Sequence, residues 1–304
     1  MDSSDFAPVA GEPMVLEPEL RLILAPNPSP MTYLGTNTFL LGTDRLCVID
    51  PGPDSDSHLA ALMRAIGAAQ VSHIVVTHNH LDHSPLAKRL AAVTGAPIYA
   101  FGTHLAGRSP IMAELARHGL AGGGEGIDEG FAPDICVQDG ETLVGSDWSL
   151  TAIHTPGHIG NHLSLQWNDA IFTGDHVMDW ASSLVSPPDG DLTDFMASCA
   201  KLQAIPARIY YPAHGAPIQT PKARVDWLIG HRHGREAQIL TVLADVPATA
   251  KQITQIIYTD VPAGLFLAAE RNVFAHLVDL AQKGKVTAQS TLSQTAIFQL
   301  SEEN

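Results

Sequence analysis

The sequence predicts an α/β-layered domain followed by a smaller, mostly helical one. Three observations carry this. Between about residues 46 and 99, β-prone runs alternate with helix-spaced runs, the order that builds a layered sheet. A short β-branched run, Ile74-Val75-Val76, leads straight into Thr77-His78-Asn79-His80-Leu81-Asp82-His83, so a buried strand delivers ligand-type side chains to a sheet edge. Pro221 then opens three helix-like segments and two short β-prone pieces.

In chain order, Val15-Leu16 and residues 20–24 read as β-structure, and residues 38–41 and 46–49 as a hairpin around Gly42-Thr43-Asp44. Asp50-Pro51-Gly52-Pro53 terminates it. Residues 57–66 have helical spacing, with Asp56 or Ser57 as cap and Gly67 as stop. Residues 84–93 form the next helix, ended by Gly95, and residues 98–99 a short strand. Residues 105–135 contain Gly119, Gly122-Gly123-Gly124, Gly126 and Gly130 around a helix-like piece at 110–118. Such a segment reads as a lid, a substrate loop or disorder. Strands resume at 135–137, 150–154, 163–167 and 170–172, then a helix at 195–202 and a last core strand at 209–211. Beyond Pro221, residues 223–243 read as a long helix interrupted near Gly230 and Gly234. Helices at 250–258 and 268–283 and strands at 286–288 and 296–300 complete a winged-helix-like end. The expected domains are 1–220 and 221–304.

The 304 residues suffice for a sizeable core. The net charge of −15 lies wholly in residues 1–220, since 221–304 hold eight basic and eight acidic residues. Such a surface repels polyphosphate except where metals or local Arg and Lys invert the field. The tail shows no net basic charge and no interleaved basic–aromatic strip, which argues against a nucleic-acid reader. No apolar run reaches membrane-span length, so no membrane partner is expected. The acidic, proline-containing N-terminus lacks the features of a signal peptide and reads as a leader strand or arm. Cys47, Cys136 and Cys199 are widely spaced, which reads as buried thiols in a reducing, cytoplasmic compartment.

Imidazole and carboxylate are donors that zinc, manganese and iron accept. On an extended backbone His78 and His80 point the same way, with Asp82 and His83 past the bend, which suits two neighbouring metals. Three more sites follow strands beside Gly or Pro: His154-Thr155-Pro156-Gly157-His158, Thr173-Gly174-Asp175-His176 and Pro212-Ala213-His214-Gly215. Each alone is an ordinary turn with a histidine. Together with the 78–83 stretch they mark one metal-bearing edge.

These residues, with Asp50-Pro51-Gly52, resemble the metallo-β-lactamase-fold superfamily over about residues 15–220. The resemblance implies a four-layer α/β/β/α sandwich, with two divalent metal ions, zinc first and manganese or iron as alternatives. His78, His80 and His158 would bind one, Asp82, His83 and His214 the other, and Asp175 would bridge them. Tyr210 to Pro217, His231-Arg232, Arg235-Glu236 and the tail resemble the β-lactamase-like protein 2 branch, which includes single-strand endoribonucleases. Ser84-Pro85 after His83 and the long Gly-rich segment depart from that branch where substrate would enter.

The expected activity is metal-dependent hydrolysis of a small thioester, ester or lactone, by a metal-bridging hydroxide that Asp82 helps orient. A single-strand endoribonuclease and a non-catalytic metal-binding scaffold are the competing readings. Asp50 is either a carboxylate that fixes a ligand histidine or a plain turn residue. Asn37 and Tyr33 are turn residues or pocket lining. His231 and Arg232 line a substrate mouth or a solvent-facing helix side. His154, His162, His176 and His233 read as packing or supporting groups. The broad apolar face of residues 268–280 suits burial against the catalytic domain or against a second copy in a homodimer.

Overall fold

The computed structural model describes residues 6–123 and 126–301. The first five residues of the N-terminal arm and Gly124 lie outside that range.

The first sheet has seven strands in sequential order: β1 (Pro13–Glu17), β2 (Leu20–Leu24), β3 (Asn37–Leu41), β4 (Arg45–Ile49), β5 (Gln70–Val75), β6 (Ile98–Ala100) and β7 (Ile135–Cys136). Pairing is antiparallel from β1 to β4 and parallel from β4 to β7. The parallel part needs crossovers, supplied by α1 (Asp56–Ile66), α2 (Leu86–Thr94) and α3 (Pro110–Arg117). The second sheet runs β12-β11-β10-β9-β8, built from β8 (Thr142–Val144), β9 (Ser149–His154), β10 (Leu163–Trp167), β11 (Ala170–Gly174) and β12 (Ile209–Pro212). Only its β11–β12 pair is parallel, joined through α4 (Leu192–Gln203).

Strand alternation builds the layers. Leu22, Phe39, Leu41, Cys47 and Ile49 point into the core between the sheets, where Leu165, Phe172 and Tyr211 meet them from the second sheet. Ile23, Leu40, Leu46 and Val48 point the other way, onto α1 and α2. Ile171 and Tyr210 face α4 on the far side of the second sheet. The period of two thus produces the expected α/β/β/α sandwich.

Several boundaries correct the sequence reading. The cap of α1 is Ser55, whose hydroxyl accepts from the His58 amide, rather than Asp56 or Ser57. Helix α4 starts earlier than expected, capped by Asp191. The strand β8 gives no sequence signal, because it is three residues long, too short for a periodic pattern. Cys47 and Cys199 are buried, but Cys136 is exposed on the edge strand β7.

The C-terminal part comprises α5 (Pro221–Asp245), β13 (Ala248–Thr249), α6 (Ala250–Ile257), α7 (Phe266–Gln282), β14 (Val286–Ala288) and β15 (Ile297–Leu300), with its sheet ordered β13-β15-β14. Helix α5 is unbroken at Gly230 and Gly234, because Val225, Leu228, Ile239, Val242 and Leu243 bury one face along its length. The apolar face of α7 is covered within the chain: Val273, Phe274, Leu277, Val278 and Leu280 pack against α5, α6 and the small sheet. That face therefore gives no reason to expect a homodimer.

A set of donors fastens this part to residues 178–187, between β11 and α4. Arg224 donates to the carbonyls of Met178 and Ala181 at 2.7 and 2.6 Å. Arg232 donates to those of Ser182 and Ser183 at 2.8 and 2.7 Å. Asn272 Oδ1 accepts from Arg232 and from the Val185 amide. Arg271 donates to Pro187, Ala121 and Gly122. Arg232 is only 2% exposed, so it is a buried clamp and not a lining of a substrate mouth. Replacing Arg232 by Ala strands two carbonyls and should cost about 3 kcal/mol in urea unfolding.

His276 on α7 is buried, with no hydrogen-bond partner among the described residues at either ring nitrogen. Burial, then the neighbouring Arg232, His231, Lys283 and Arg235, push its pKa well below the ordinary value. The unfolded chain takes up a proton there near pH 6.5 that the folded chain refuses. Stability is therefore complete above that pH and falls as the pH drops below it. His276→Leu should flatten the acid limb of a stability–pH profile by about 1.4 kcal/mol per pH unit.

Candidate metal centre

Each cluster residue sits just past a strand end. His78 and His80 follow β5, His158 follows β9, Asp175 follows β11 and His214 follows β12. Two glycines make this crowding feasible. Gly157 has φ 137°, and a Cβ there would lie 2.3 Å from the Phe195 Cα in α4. Gly174 has φ 49°, and its Cβ would meet His162 Nε2 at 2.5 Å.

The first cluster is three imidazoles and a carboxylate. His78 Nε2 and His158 Nε2 each lie 3.0 Å from His80 Nδ1. The Asp175 carboxylate is 3.5 Å from His158 Nε2 and 4.0 Å from His78 Nε2. The back nitrogens decide the tautomers. His158 Nδ1 donates to the Leu184 carbonyl at 2.7 Å. His78 Nδ1 donates to the Thr77 hydroxyl, whose own proton goes to Asp50 Oδ2. Both Nε2 atoms thus present lone pairs to His80 Nδ1, and one N–H can satisfy only one of them. A cation among the three resolves the conflict. Burial holds all three imidazoles below their ordinary pKa, His80 down to about 3, which keeps them in the neutral ligand form.

The second cluster is Asp82, His83, Asp175 and His214. His83 Nε2 lies 3.2 Å from Asp82 and 3.6 Å from Asp175, and His214 Nε2 lies 3.1 and 3.3 Å from the same two. Again the back nitrogens are committed: His83 Nδ1 donates to Asp50 Oδ2 at 3.0 Å and His214 Nδ1 to the Gly35 carbonyl at 3.1 Å. Burial opposes charge here, but the paired carboxylates outweigh it. They lift His83 well above its ordinary range and His214 to about 10, while Asp82 and Asp175 fall below theirs. Both Asp82 oxygens, one Asp175 oxygen and the Nε2 atoms of His83 and His214 are buried without a hydrogen-bond partner. Within each cluster the donor atoms lie within 4.8 Å of one another, so both groups could hold a metal ion, and Asp175 belongs to both.

Asp50 is no plain turn residue. It adopts φ 50°, accepts from the Thr77 amide and hydroxyl at 2.7 Å each, and holds His83. Asn37 neither turns nor lines a pocket. It opens β3, is buried, and donates to the carbonyls of Pro212 and Gly215, which pins the His214 loop. His162 accepts from the Asp175 amide at 3.2 Å and contacts the Thr155 hydroxyl. His176 touches Cys199, His154 stacks on Phe101, and His233 is exposed. Tyr33 stacks on Trp180 at 5.2 Å, beside Gly215. The end of the Gly-rich segment pairs with the histidine stretch: Ile127 bridges His80, and Asn79 and Asp128 exchange hydrogen bonds. Sequence reasoning missed the Leu184 and Gly35 carbonyls, because a backbone acceptor has no residue signature.

His231 stacks on Trp227 at 5.1 Å, Arg224 lies 4.2 Å from the Trp227 ring, and Arg235 lies 4.1 Å from the Tyr258 ring. A short basic–aromatic run, Arg224, Trp227, His231 and Arg235, thus lies along α5, with Tyr258 beside it at the end of α6. Its members are three to four residues apart and align only when the helix is wound.

A family model described as the metallo-beta-lactamase superfamily matches residues 31–214, and one described as the beta-lactamase associated winged helix domain matches residues 249–294. A beta-lactamase-like protein 2 homolog of Drosophila melanogaster is 30% identical over 90% of this chain and 91% of its own length. An atrochrysone carboxyl ACP thioesterase of Aspergillus fumigatus is 30% identical over 88% of this chain and 82% of its own. The crystal structure of a beta-lactamase domain protein from Burkholderia ambifaria superposes with a TM-score of 0.80 at 19% identity, over 99% of this chain and 96% of its own. A metallo-beta-lactamase family protein from Thermus thermophilus gives a TM-score of 0.76 at 24% identity, over 94% of this chain and 100% of its own. Fold, edge-borne donor clusters and family match agree: this chain belongs to the metallo-beta-lactamase superfamily of hydrolases and carries that superfamily's associated winged helix domain.

Proposed function

We propose that the protein is a dinuclear metal-dependent hydrolase of small thioesters, with esters and lactones as weaker relatives of the same carbonyl chemistry. The observation that carries this is the pair of donor clusters sharing Asp175. The residues next to cluster-holding positions in the chain are exposed and apolar, Leu81 within the histidine stretch and Tyr33 and Leu34 beside Gly35, and such neighbours suit an apolar acyl compound better than a polyanion. The thioesterase named in Aspergillus fumigatus, alike along most of both chains, supports the same class.

We assign His78, His80 and His158 to one ion, Asp82, His83 and His214 to the other, and Asp175 to both, with zinc first and manganese or iron as alternatives. Divalent ions held there would supply Lewis acidity and a water that ionises near neutral pH. The chain does the rest. Leu184, Thr77, Asp50 and Gly35 hold the back nitrogens of His158, His78, His83 and His214, so each of these four imidazoles keeps Nε2 aimed inward. Asp82 Oδ2 faces His83 and His214, and its other oxygen, Oδ1, would orient the attacking water. A thiolate leaves a tetrahedral centre more readily than an alkoxide, which places thioesters before esters. We also propose the division into residues 1–220 and 221–304, and a cytoplasmic location, which the exposed free thiol of Cys136 fits.

A second reading, cleavage of single-stranded RNA, draws on the strip of Arg224, Trp227, His231 and Arg235. Aromatic and guanidinium planes are what unpaired bases stack on. The surrounding charge of −15 opposes it.

His80→Ala and Asp175→Ala should each lose bound metal and all hydrolysis while keeping the native circular dichroism spectrum; either variant with full metal content and turnover would sink the ligand assignment. A chelator should abolish activity, and added zinc or manganese should restore it. Acyl thioesters, a lactone and a labelled single-stranded RNA, assayed side by side, decide the substrate: turnover is expected on the thioesters, and cleavage confined to RNA would install the second reading.

A further inference from the structure

We propose that a groove along the seam between residues 178–187 and α7 binds the apolar acyl group of the substrate; this rests on the thioester reading above. One stretch of the groove encloses about 270 Å³ and an adjoining stretch about 400 Å³. They form one trough, because Pro30, Met31, Leu184, Leu265 and Ala268 line both.

One wall of the trough supports the metal centre from behind. Leu184 lines it while its carbonyl holds His158 Nδ1 at 2.7 Å. Gly122 and Gly123 line it too, and they also border the pocket beside Ile127, which pairs with His80. The trough is thus walled by Leu184, which holds His158, and by the glycines that precede the strand-like pairing of Ile127 with His80.

The lining selects an uncharged chain. Among the described residues no Asp or Glu lines either stretch. The basic groups are already engaged. Arg271 is spent on three carbonyls. Arg235 lies over the Tyr258 ring and donates to Gln238. His231 is neutral, lowered to about 4 by partial burial and then by nearby arginines. The apolar surface left for a ligand is Met31, Leu184, Val261 and Leu265, beside the rings of Trp180 and Tyr258. Methionine side chains adapt to chains of varied shape. An acyl tail also gains from leaving water, which a phosphate or carboxylate would not do here.

The test uses the metal-loaded full chain and S-alkyl thioethers of N-acetylcysteamine, from ethyl to dodecyl, with binding followed by calorimetry. These ligands cannot be hydrolysed, so binding is read independently of turnover. Affinity should rise by up to about fourfold per added methylene until the groove fills. Ala268→Phe places a ring where the two stretches join. It should weaken dodecyl binding by roughly tenfold or more, the loss of two or more methylenes, and leave the ethyl ligand unchanged. Met31→Ala serves as the second variant, expected to weaken only the long ligands, should Ala268→Phe melt early. Affinity independent of chain length, or long-chain binding untouched in both folded variants, would overturn the groove. Acyl thioesters of the same chain lengths are assayed in parallel. Length-dependent binding without thioester turnover would reject the thioesterase reading and keep the groove as an apolar site; turnover indifferent to chain length would do the reverse.

Discussion

The structure depends on a local conflict: three imidazole nitrogens converge at 3.0 Å with two lone pairs facing a single N–H. Left alone, such an arrangement is unfavourable, since each buried acceptor has given up water. It persists because the back nitrogens of His78 and His158 are held by Thr77 and Leu184. Thr77 is fixed in turn by the end of β5, and Leu184 by its neighbours Ser183 and Val185, which Arg232 and Asn272 hold. The second cluster repeats the logic with charge in place of lone-pair conflict, its histidines anchored by Asp50 and Gly35. The layers, the strand-end turns and the two crowded glycines all hold this edge in register.

Much of this is legible in the sequence, and the reason is periodicity. Alternation in Leu20–Leu24 and Arg45–Ile49 separates two apolar sets that become two cores. The donor residues are legible because they cluster after strand ends, His158, Asp175 and His214 each beside a Gly. What stays hidden has a common physical basis: it needs the chain to be folded first. Asn37 looks like a turn residue until Pro212 and Gly215 are brought against it. Arg232 looks like an exposed cation on a polar helix, but the 182–183 carbonyls bury it. Gly230 and Gly234 suggest a break that the packed face of α5 overrides. The strands β8 and β13 are three and two residues long, and pairing alone defines them.

Charge and chemistry are divided between the two parts of the chain. The acidic surplus lies in residues 1–220, while Arg224, Arg232 and Arg271 of the C-terminal part turn inward onto carbonyls of the catalytic part. These guanidinium groups satisfy an irregular segment that has few backbone partners of its own. The winged-helix part thereby contributes to the metal edge without supplying a ligand, since Val185, next to Leu184, is tied to Asn272.

The donors onto residues 178–187 also bear on how such chains can be recombined. A wing exchanged between relatives would arrive with its arginines spaced for its own loop, and the recipient loop would present carbonyls at other positions. Functional chimeras should therefore need the segment between β11 and α4 to travel with the wing, although a helix, α4, and a strand, β12, separate the two in sequence. Loop and wing form one heritable unit that is discontinuous in the gene and continuous in space.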